Sequence, residues 1–280
     1  MPQSRVSETL PPEIGKFDLV IVDEASQSDL WALPSLLRGE KILVVGDDKQ
    51  VSPDGIGLAE EKIKDLKNRF LKDQVHGDQM TPEKSLYDLA KVVFAGGMVM
   101  LREHFRCVSP IIEFSKREFY QHEIRPLRIP KASERLDPPL VDILVKGATR
   151  KGKVNEAEAR AIVSEIKVIL SDKRYEGRSI GAVSLLGIEQ AHRIFELIRE
   201  EIPPEEIVAR KMTVGDARTF QGKERDIMLM SMVATPDQKV TATSSVYAQR
   251  FNVAASRARN RVYLVRSVQA SDLNKSEAQS

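Results

Sequence analysis

Two runs of apolar residues near the start of the chain each end in polar side chains. Residues 17–22 read Phe-Asp-Leu-Val-Ile-Val and precede Asp23 and Glu24, while residues 41–45 read Lys-Ile-Leu-Val-Val and precede Gly46. A continuous apolar run is typical of a parallel strand covered on both faces. We therefore predict two parallel strands whose carboxyl ends carry polar groups, at the edge where ligands of open α/β sheets bind.

Apolar residues three and four apart predict helices further along the chain. Such a stripe in the charged segment 59–73 predicts a helix with a solvated face, and residues 74–83 are read as a loop. Asn155 and Glu158 have the spacing of a capping box at the start of a further helix. The residues of the three predicted stripes are Ala59, Ile63, Leu66 and Phe70, then Ile162, Ile166, Ile169 and Leu170, then Ala191, Ile194, Phe195, Ile198 and Ile202.

Strands predicted at 180–186, 226–233 and 261–266 alternate with these helices, which implies an α/β fold with a mainly parallel sheet. The 280 residues, 41% hydrophobic and 30% charged, leave room for two modest domains. The single cysteine, Cys107, excludes an internal disulfide, and four scattered histidines argue against structural zinc. Residues 92–101 form the longest apolar stretch, which is too short to span a bilayer. We expect a cytoplasmic protein with no membrane partner and no required oligomer.

The strand ends carry candidate catalytic groups. Asp23 and Glu24 form a Walker B pattern, in which Asp23 is placed to hold Mg²⁺, directly or through water, and Glu24 to orient the water that attacks a γ-phosphate. Gln50 offers an amide that can donate to a phosphate oxygen and accept from that water. Gly46 permits a close backbone approach or a positive φ. The alternatives are a surface acid pair and an ordinary strand-end loop.

Three further sequence patterns follow in order after Phe105-Arg106 and Ser109-Pro110. They are residues 181–190 (GAVSLLGIEQ), residues 219–226 (TFQGKERD) and residues 250–259 (RFNVAASRAR). With these patterns in this order, the chain resembles the superfamily 1 helicases over residues 17–267. The resemblance is to the 1B branch, which contains the RNA helicase of nonsense-mediated decay.

The resemblance implies a RecA-like P-loop NTPase fold that uses ATP and Mg²⁺ to move along single-stranded DNA or RNA. Residues 1–98 would be the C-terminal part of a first RecA-like domain, with motif II at Asp23 and Glu24 and motif III at residues 46–50. Residues 99–270 would be a complete second domain, in which the three patterns at 181–190, 219–226 and 250–259 are motifs IV, V and VI. Residues 271–280 would be a polar tail. ATP would be hydrolysed at the cleft between the domains.

Phosphoryl transfer spreads negative charge over the γ-phosphate oxygens, which a planar guanidinium can contact through two donors. Arg106 and Arg257 are our candidates for this role, and the alternative for each is a surface or salt-bridged side chain. Arg259 lies two residues further along what we expect to be a helix. It should therefore point elsewhere and serve as a structural ion-pair former.

By resemblance, Phe105 stacks on the adenine, with simple core packing as the alternative, while Gly222 and Glu224 face the nucleotide. The strand-end loops around Ser184 and Thr219 are the candidate nucleic-acid contacts. Two departures from the family pattern stand out. Arg218 occupies the place of a common Asp, and residues 184–186 read Ser-Leu-Leu where relatives have a Thr-Pro-Tyr-like run.

Net charge is only +2, so a nucleic-acid surface would have to be local. A proline-punctuated segment with few acids offers one candidate edge, for which a solvated loop is the alternative. Its basic residues are Arg125, Arg128, Lys131 and Arg135.

The phosphate-binding loop of a P-loop NTPase, Gly-x-x-x-x-Gly-Lys-Ser/Thr, should precede Asp23 but has no counterpart there. Residues 147–153 (GATRKGK) resemble it but are followed by Val154, which lacks the hydroxyl for Mg²⁺. We therefore expect a fragment that needs the N-terminal part of the same helicase core and is inactive alone. Its incomplete first domain would have an exposed sheet edge. The alternative is a non-catalytic nucleic-acid-binding or scaffold module that retains the fold.

Overall fold

The computed structural model describes residues 3–50, 60–220, 222–237 and 245–272. The chain divides into two compact units, of which the first ends at Met100 and the second begins at Leu101. Ala59, Gln221 and residues 273–280 of the predicted tail lie outside the described residues.

The first unit contains two parallel strands, β1 (Phe17–Val22) and β2 (Gly39–Val44), with Ile21 opposite Leu43. The second strand begins earlier than the sequence predicts. The α-helices described in this unit are α1 (Gln3–Thr9), α2 (Leu33–Leu36), α3 (Glu60–Phe70) and α4 (Leu86–Val93).

One face of this small sheet is covered and the other is exposed. Val22 packs with Ala25, Ala32 and Leu86 in the core of the unit. On the opposite face, Phe17, Leu19 and Ile21 are 39%, 48% and 58% exposed. These side chains form an exposed apolar surface on one face of the sheet, whereas parallel strands normally have both faces covered.

The second unit contains a five-stranded sheet in the order β5-β9-β8-β6-β7, and all its strand pairs are parallel. This sheet confirms the predicted α/β fold class. A separate short parallel pair, β3 (Glu103–His104) and β4 (Arg125–Pro126), precedes it. The strands of the large sheet are β5 (Leu140–Leu144), β6 (Ile180–Ser184), β7 (Thr213–Asp216), β8 (Arg225–Ser231) and β9 (Ala258–Arg266).

Helices cover both faces of the large sheet and enclose two apolar clusters, one built around Ile166 and Ile194 and the other around Ile111 and Met228. The helices described in this unit are α5 (Ser109–Phe119), α6 (Glu156–Ser171), α7 (Ile188–Glu201), α8 (Pro204–Ala209) and α9 (Ser245–Ser256).

The helical stripes are confirmed with two exceptions. On α7, Phe195 is 43% exposed and Leu197 is buried instead, because the buried face is centred on Ile194 and position 195 is rotated away from it. On α3, Leu66 and Phe70 are 45% and 60% exposed, so this stripe is only weakly covered.

Several predicted boundaries are wrong. The strand predicted at 226–233 ends at Ser231, because Val233 adopts a left-handed φ of 64° that a strand cannot contain. Strand β6 ends at Ser184, β9 begins at Ala258, and the predicted loop 74–83 contains a 3₁₀ turn, Gly77–Gln79. Residues 147–153 connect β5 to α6, with Lys151 bridged to Val154. Within the described ranges, no helix is long and apolar enough to cross a membrane.

Candidate nucleotide site

The two strand ends of the first unit are joined by backbone hydrogen bonds. The amide of Val45 donates to the carbonyl of Val22 at 2.9 Å, and the amide of Ala25 donates to the carbonyl of Val45 at 2.8 Å. These bonds extend the β1–β2 pairing past the last strand residues. Asp23 and Glu24 are therefore held beside the turn that begins at Gly46.

Glu24 has a left-handed backbone, with φ 53° and ψ 36°, which turns the chain sharply after β1. Its carboxylate accepts a hydrogen bond from Gln27 Nε2 at 2.8 Å, and its amide donates to Asp23 Oδ1 at the same distance. Asp23 is exposed. An exposed carboxylate at a strand end fits Mg²⁺, which proteins commonly hold through one or two carboxylates together with substrate phosphates. The described residues contain no cluster of three or more His, Cys, Asp or Glu side chains suited to a metal.

The Gly46–Gln50 turn is organised by Asp47. This carboxylate accepts from the amide of Lys49 and from Gln50 Nε2, both at 2.9 Å. A side chain at Gly46 would lie 2.7 Å from the ring of Tyr87. The glycine is therefore required for close approach, and the alternative of a positive φ is wrong because Gly46 is not among the residues with one.

Helix α4 holds the same turn from the other side. Lys91 Nζ lies 2.7 Å from Asp48 Oδ2. Partial burial opposes ionisation of Asp48, but the bond to Lys91 and the charge of Lys49 outweigh it and lower the pKa of Asp48. The α4 side chains Tyr87 and Lys91 thus support the turn that presents Gln50.

In the second unit, Arg106 and Glu224 form an ion pair, with 3.2 Å between Nε and Oε2. Arg259 Nη1 lies 3.5 Å from the other oxygen of Glu224. Glu224 immediately precedes β8 and Arg257 immediately precedes β9, and the amide of Arg225 donates to the carbonyl of Arg257 at 3.0 Å. The structure therefore brings the predicted residues Arg106, Glu224 and Arg257 to the amino ends of neighbouring strands.

The thiol of Cys107 lies beneath this group. Its Sγ donates to the carbonyl of Ser256 at 3.2 Å, and Arg106 Nη1 donates to the same carbonyl at 3.4 Å. Burial raises the pKa of Cys107 to about 12, against the opposing charges of Arg106, Arg128 and Arg257. The thiol and the guanidinium of Arg106 thus share one acceptor, the carbonyl of the residue that precedes Arg257.

Arg257 is 2% exposed, so it is not a surface arginine. It lies between the end of α9 at Ser256 and the start of β9 at Ala258, and Arg259 lies within β9. The predicted helical relationship between the two arginines is therefore wrong, because the chain changes from helix to strand at Arg257. The predicted ion pair of Arg259 is confirmed, and its partner is Glu224.

Arg128 is tied into the same group rather than extending into solvent. Its Nη1 donates to the carbonyl of Arg106 at 2.7 Å and its Nη2 to Asn260 Oδ1 at 2.8 Å. Arg125, Lys131 and Arg135, by contrast, are exposed. Arg128 is therefore not part of the basic edge that the sequence suggests. Its structural role could not be predicted, because nothing in the local sequence links it to Asn260.

Phe105 is 65% exposed, so the core-packing alternative is wrong and an aromatic face is accessible beside Arg106. His104, on the other side of Phe105, accepts a hydrogen bond from the amide of Cys107 at its Nε2, at 2.9 Å. Gly222 has φ 67° and open space where a side chain would begin.

The predicted nucleic-acid contacts lie in different surroundings. Ser184 is 1% exposed and is paired with Asp216 of β7 and Ser231 of β8, so its side chain is not accessible, while Leu186 and Gly187 after it are partly exposed. The amide and the hydroxyl of Thr219 both donate to Asp216 Oδ1 at 3.0 Å. Asp216 therefore makes a local polar link in a segment where Arg218 replaces the acid common in the family.

Residues 83–269 match a family described as AAA domain, AAA_12. The chain belongs to this family. The match covers more than half of the chain, including the Arg106, Glu224 and Arg257 group.

Two relatives are named as uncharacterized ATP-dependent helicases. The MG140 homolog of Mycoplasma pneumoniae is 27% identical over 278 residues, which cover 92% of this chain and 24% of the relative. MJ0104 of Methanocaldococcus jannaschii is 23% identical over 272 residues, which cover 89% of this chain and 36% of the relative. The chain thus spans about a quarter of the first relative and just over a third of the second. The resemblance to superfamily 1 helicases is confirmed.

Among solved structures, the PRRSV helicase aligns with 90% of this chain and 36% of its own, at 11% identity and a TM-score of 0.40.

Proposed function

We propose that this chain is the C-terminal part of the core of an ATP-dependent DNA or RNA helicase or translocase. The observation that carries the proposal is the ion pairing of Glu224 with Arg106 and Arg259 at the amino end of β8, beside Arg257, whose carbonyl accepts the amide of Arg225. A surface that gathers guanidinium groups around one carboxylate is suited to an anionic ligand with several charged oxygens. The names of the relatives, ATP-dependent helicases, support ATP as that ligand.

The first unit carries the candidate residues for metal binding and water activation. Asp23 would hold Mg²⁺, which would supply positive charge to offset that of the phosphate oxygens. Glu24, with Gln27 bonded to its carboxylate, orients the attacking water. Gln50, held by Asp47, contacts the γ-phosphate and reports its presence through the turn that Lys91 and Tyr87 support.

The residues of the second unit bind the nucleotide and stabilise the charge that develops during phosphate transfer. Phe105 stacks on the adenine through its exposed face, and Glu224 with Gly222 lies near the ribose or phosphates. Arg106 and Arg257 stabilise the charge that develops on the γ-phosphate oxygens during transfer. The loops after β6 and β7, around Ser184 and Thr219, contact the sugar-phosphate backbone of a single strand. We expect these steps inside the cell, in the cytoplasm.

The alternative is a non-catalytic binding or scaffold module. Such a module has no need for Asp23, Glu24, Gln50, Arg106, Glu224 and Arg257, which are all present in the chain. Their retention together favours the catalytic proposal.

The test uses a polypeptide extended upstream until it includes a phosphate-binding loop. ATP hydrolysis is measured with and without single-stranded DNA or RNA, in the parent, in Glu24→Gln and in the control Glu40→Gln, an exposed acid of β2. We expect stimulation by nucleic acid in the parent and in the control, and its loss in Glu24→Gln. Hydrolysis that survives Glu24→Gln unchanged would contradict the proposal.

A further inference from the structure

We infer that Arg259 is a positioning residue of the nucleotide site, which holds Glu224 and thereby frees Arg106 for a phosphate. The inference rests on the proposed function and goes beyond the structural ion pair expected of Arg259. The carboxylate of Glu224 forms ion pairs with two arginines. Glu224 Oε2 faces Arg106 Nε at 3.2 Å, and Oε1 faces Arg259 Nη1 at 3.5 Å.

Both ion pairs lie at the surface and are exchangeable. The side chains of Arg106, Glu224 and Arg259 are 35%, 44% and 43% exposed. Ion pairs of this exposure contribute little, because water screens the charges and the side chains must be ordered. A phosphate group, with more charge than a carboxylate, can therefore displace Glu224 from Arg106.

The two arginines differ in how they are fixed. The backbone of Arg106 is anchored through its carbonyl by Arg128, while its guanidinium has a long 3.4 Å bond to the carbonyl of Ser256. Arg259 lies within β9, and its carbonyl accepts the amide of Val108 at 3.0 Å. Arg259 is thus part of the sheet and can retain Glu224 while the guanidinium of Arg106 turns to a phosphate.

In the described part of the chain, Glu224 has these two ion pairs. Without Arg259, its carboxylate keeps only the pair with Arg106. A phosphate then competes with a carboxylate that has no other ion pair among the described residues. Loss of Arg259 should therefore weaken phosphate binding at Arg106, and loss of the Glu224 charge should remove that effect.

The experiment follows the Nε–Hε NMR signal of Arg106 in the ¹⁵N-labelled 280-residue chain during titration with inorganic tripolyphosphate. This probe has no base or ribose, so any contact of Glu224 with a ribose plays no part. The variants are Arg259→Ala, Arg259→Lys, Glu224→Gln and the double variant Arg259→Ala with Glu224→Gln. Arg266→Ala is the matched control, since Arg266 forms a surface ion pair with Asp142 on the same strand.

We expect Arg259→Ala to raise the midpoint concentration about two- to fivefold, the range that an exposed ion pair can provide. Arg259→Lys should lie between this variant and the parent. Glu224→Gln should lower the midpoint, and the double variant should match Glu224→Gln. Arg266→Ala should leave the midpoint unchanged.

Equal midpoints for the parent and Arg259→Ala would overturn the inference. So would an Arg259→Ala effect of the same size in the Glu224→Gln background, because that additivity would mean simple loss of a distant positive charge. An Arg106 signal that ignores tripolyphosphate would also overturn it. The proposed function is judged separately by the hydrolysis assay above, so the two failures are distinguishable.

Discussion

The carboxylate of Glu158 accepts a hydrogen bond from the amide of Val233, with 2.8 Å between Oε2 and the nitrogen. Val233 is the residue with φ 64° that ends β8, and such a conformation is strained for a β-branched side chain. Glu158 is fully buried in the first turn of α6. A buried carboxylate thus holds the strained residue at which the chain leaves the sheet.

Two side-chain amides determine the direction of the hydrogen bonds around Glu158. Gln190 Nε2 donates to Ser231 Oγ at 3.0 Å and Asn155 Nδ2 donates to Ser267 Oγ at 2.9 Å. Each serine hydroxyl can then use its single proton to donate to Glu158, at 2.6 and 2.7 Å. Burial raises the pKa of Glu158 even though these donors and the Val233 amide favour its charged form.

Replacement of Glu158 should therefore destabilise the protein strongly. Glu158→Ala leaves three buried donors without an acceptor and should lower the free energy of unfolding by roughly 2–4 kcal/mol. The control Glu200→Ala, at an exposed position of α7, should change it by less than about 0.5 kcal/mol. Denaturant unfolding followed by circular dichroism measures both. Similar values for the two variants would show that the network adds no stability.

Glu158 also illustrates what the sequence could predict. Its spacing from Asn155 correctly predicted where α6 begins, and the Asn155 side chain caps the amide of Glu158 at 3.1 Å. The second half of the capping box is wrong, because the Glu158 carboxylate bonds to Ser231, Val233 and Ser267, which are distant in sequence. Local spacing carries no information about such partners.

The same limit applies to the candidate site. Strand–polar patterns located Asp23, Glu24 and Gln50 at strand ends, because the period of a strand and the edge of a parallel sheet follow from local sequence. The position of Arg257 at a helix-to-strand junction, and the sharing of Glu224 by Arg106 and Arg259, depend on how β8 and β9 pair. Only the folded sheet determines those contacts.

His104 should make stability depend on pH in a specific window. Burial, with a smaller effect from the charge of Arg106, lowers the pKa of His104 from 6.5 to about 4. Between these values the unfolded chain binds a proton that the folded chain does not. The contribution of His104 to the free energy of unfolding therefore falls as pH decreases from 6.5 to 4. Protonation would also abolish acceptance of the Cys107 amide by Nε2.

The measurement is the free energy of unfolding at several pH values from 4 to 7, in the parent, in His104→Asn and in the exposed control His192→Asn. The pH slope should be shallower in His104→Asn than in the parent, and unchanged in the control. Parallel slopes for all three proteins would contradict the assignment.

Cys107 should be unreactive in the folded protein. The thiolate is the nucleophile, and burial raises the pKa of this thiol to about 12. At pH 8 we expect a disulfide reagent such as DTNB to label it only as fast as the protein unfolds. Ser133→Cys in a Cys107→Ser background provides an exposed thiol that should react at once. Rapid labelling of Cys107 in the native chain would mean that its surroundings open readily.

The isolated 280-residue chain should have little or no ATPase activity. No lysine and hydroxyl of a phosphate-binding loop precede Asp23 in this sequence. Turnover should equal that of Glu24→Gln, with or without single-stranded nucleic acid, in a phosphate-release assay. Stimulated turnover that Glu24→Gln abolishes would show that this chain binds the phosphates by other means.

In a polypeptide extended to include a phosphate-binding loop, Arg257→Ala should lower kcat far more than it weakens ATP binding. The guanidinium contributes most by stabilising the charge that develops during transfer. Loss of such a group is expected to lower kcat on the order of 10³-fold or more. Arg257→Lys should rescue poorly, because an ammonium group cannot reproduce the two-donor fork. Single-turnover hydrolysis and nucleotide affinity, measured for each variant, separate the two effects.

The Arg257→Ala result requires a test of folding and a comparison with Arg259→Ala. Because Arg257 is buried, thermal unfolding of Arg257→Ala must first establish that the variant is folded at the assay temperature. Arg259→Ala is the comparison variant, and it should shift phosphate affinity a few-fold while leaving the transfer step nearly intact, since Arg259 acts through Glu224. If Arg257→Ala instead hydrolyses ATP at the parent rate while Arg259→Ala does not, the strand residue rather than the junction residue stabilises the transferred phosphate.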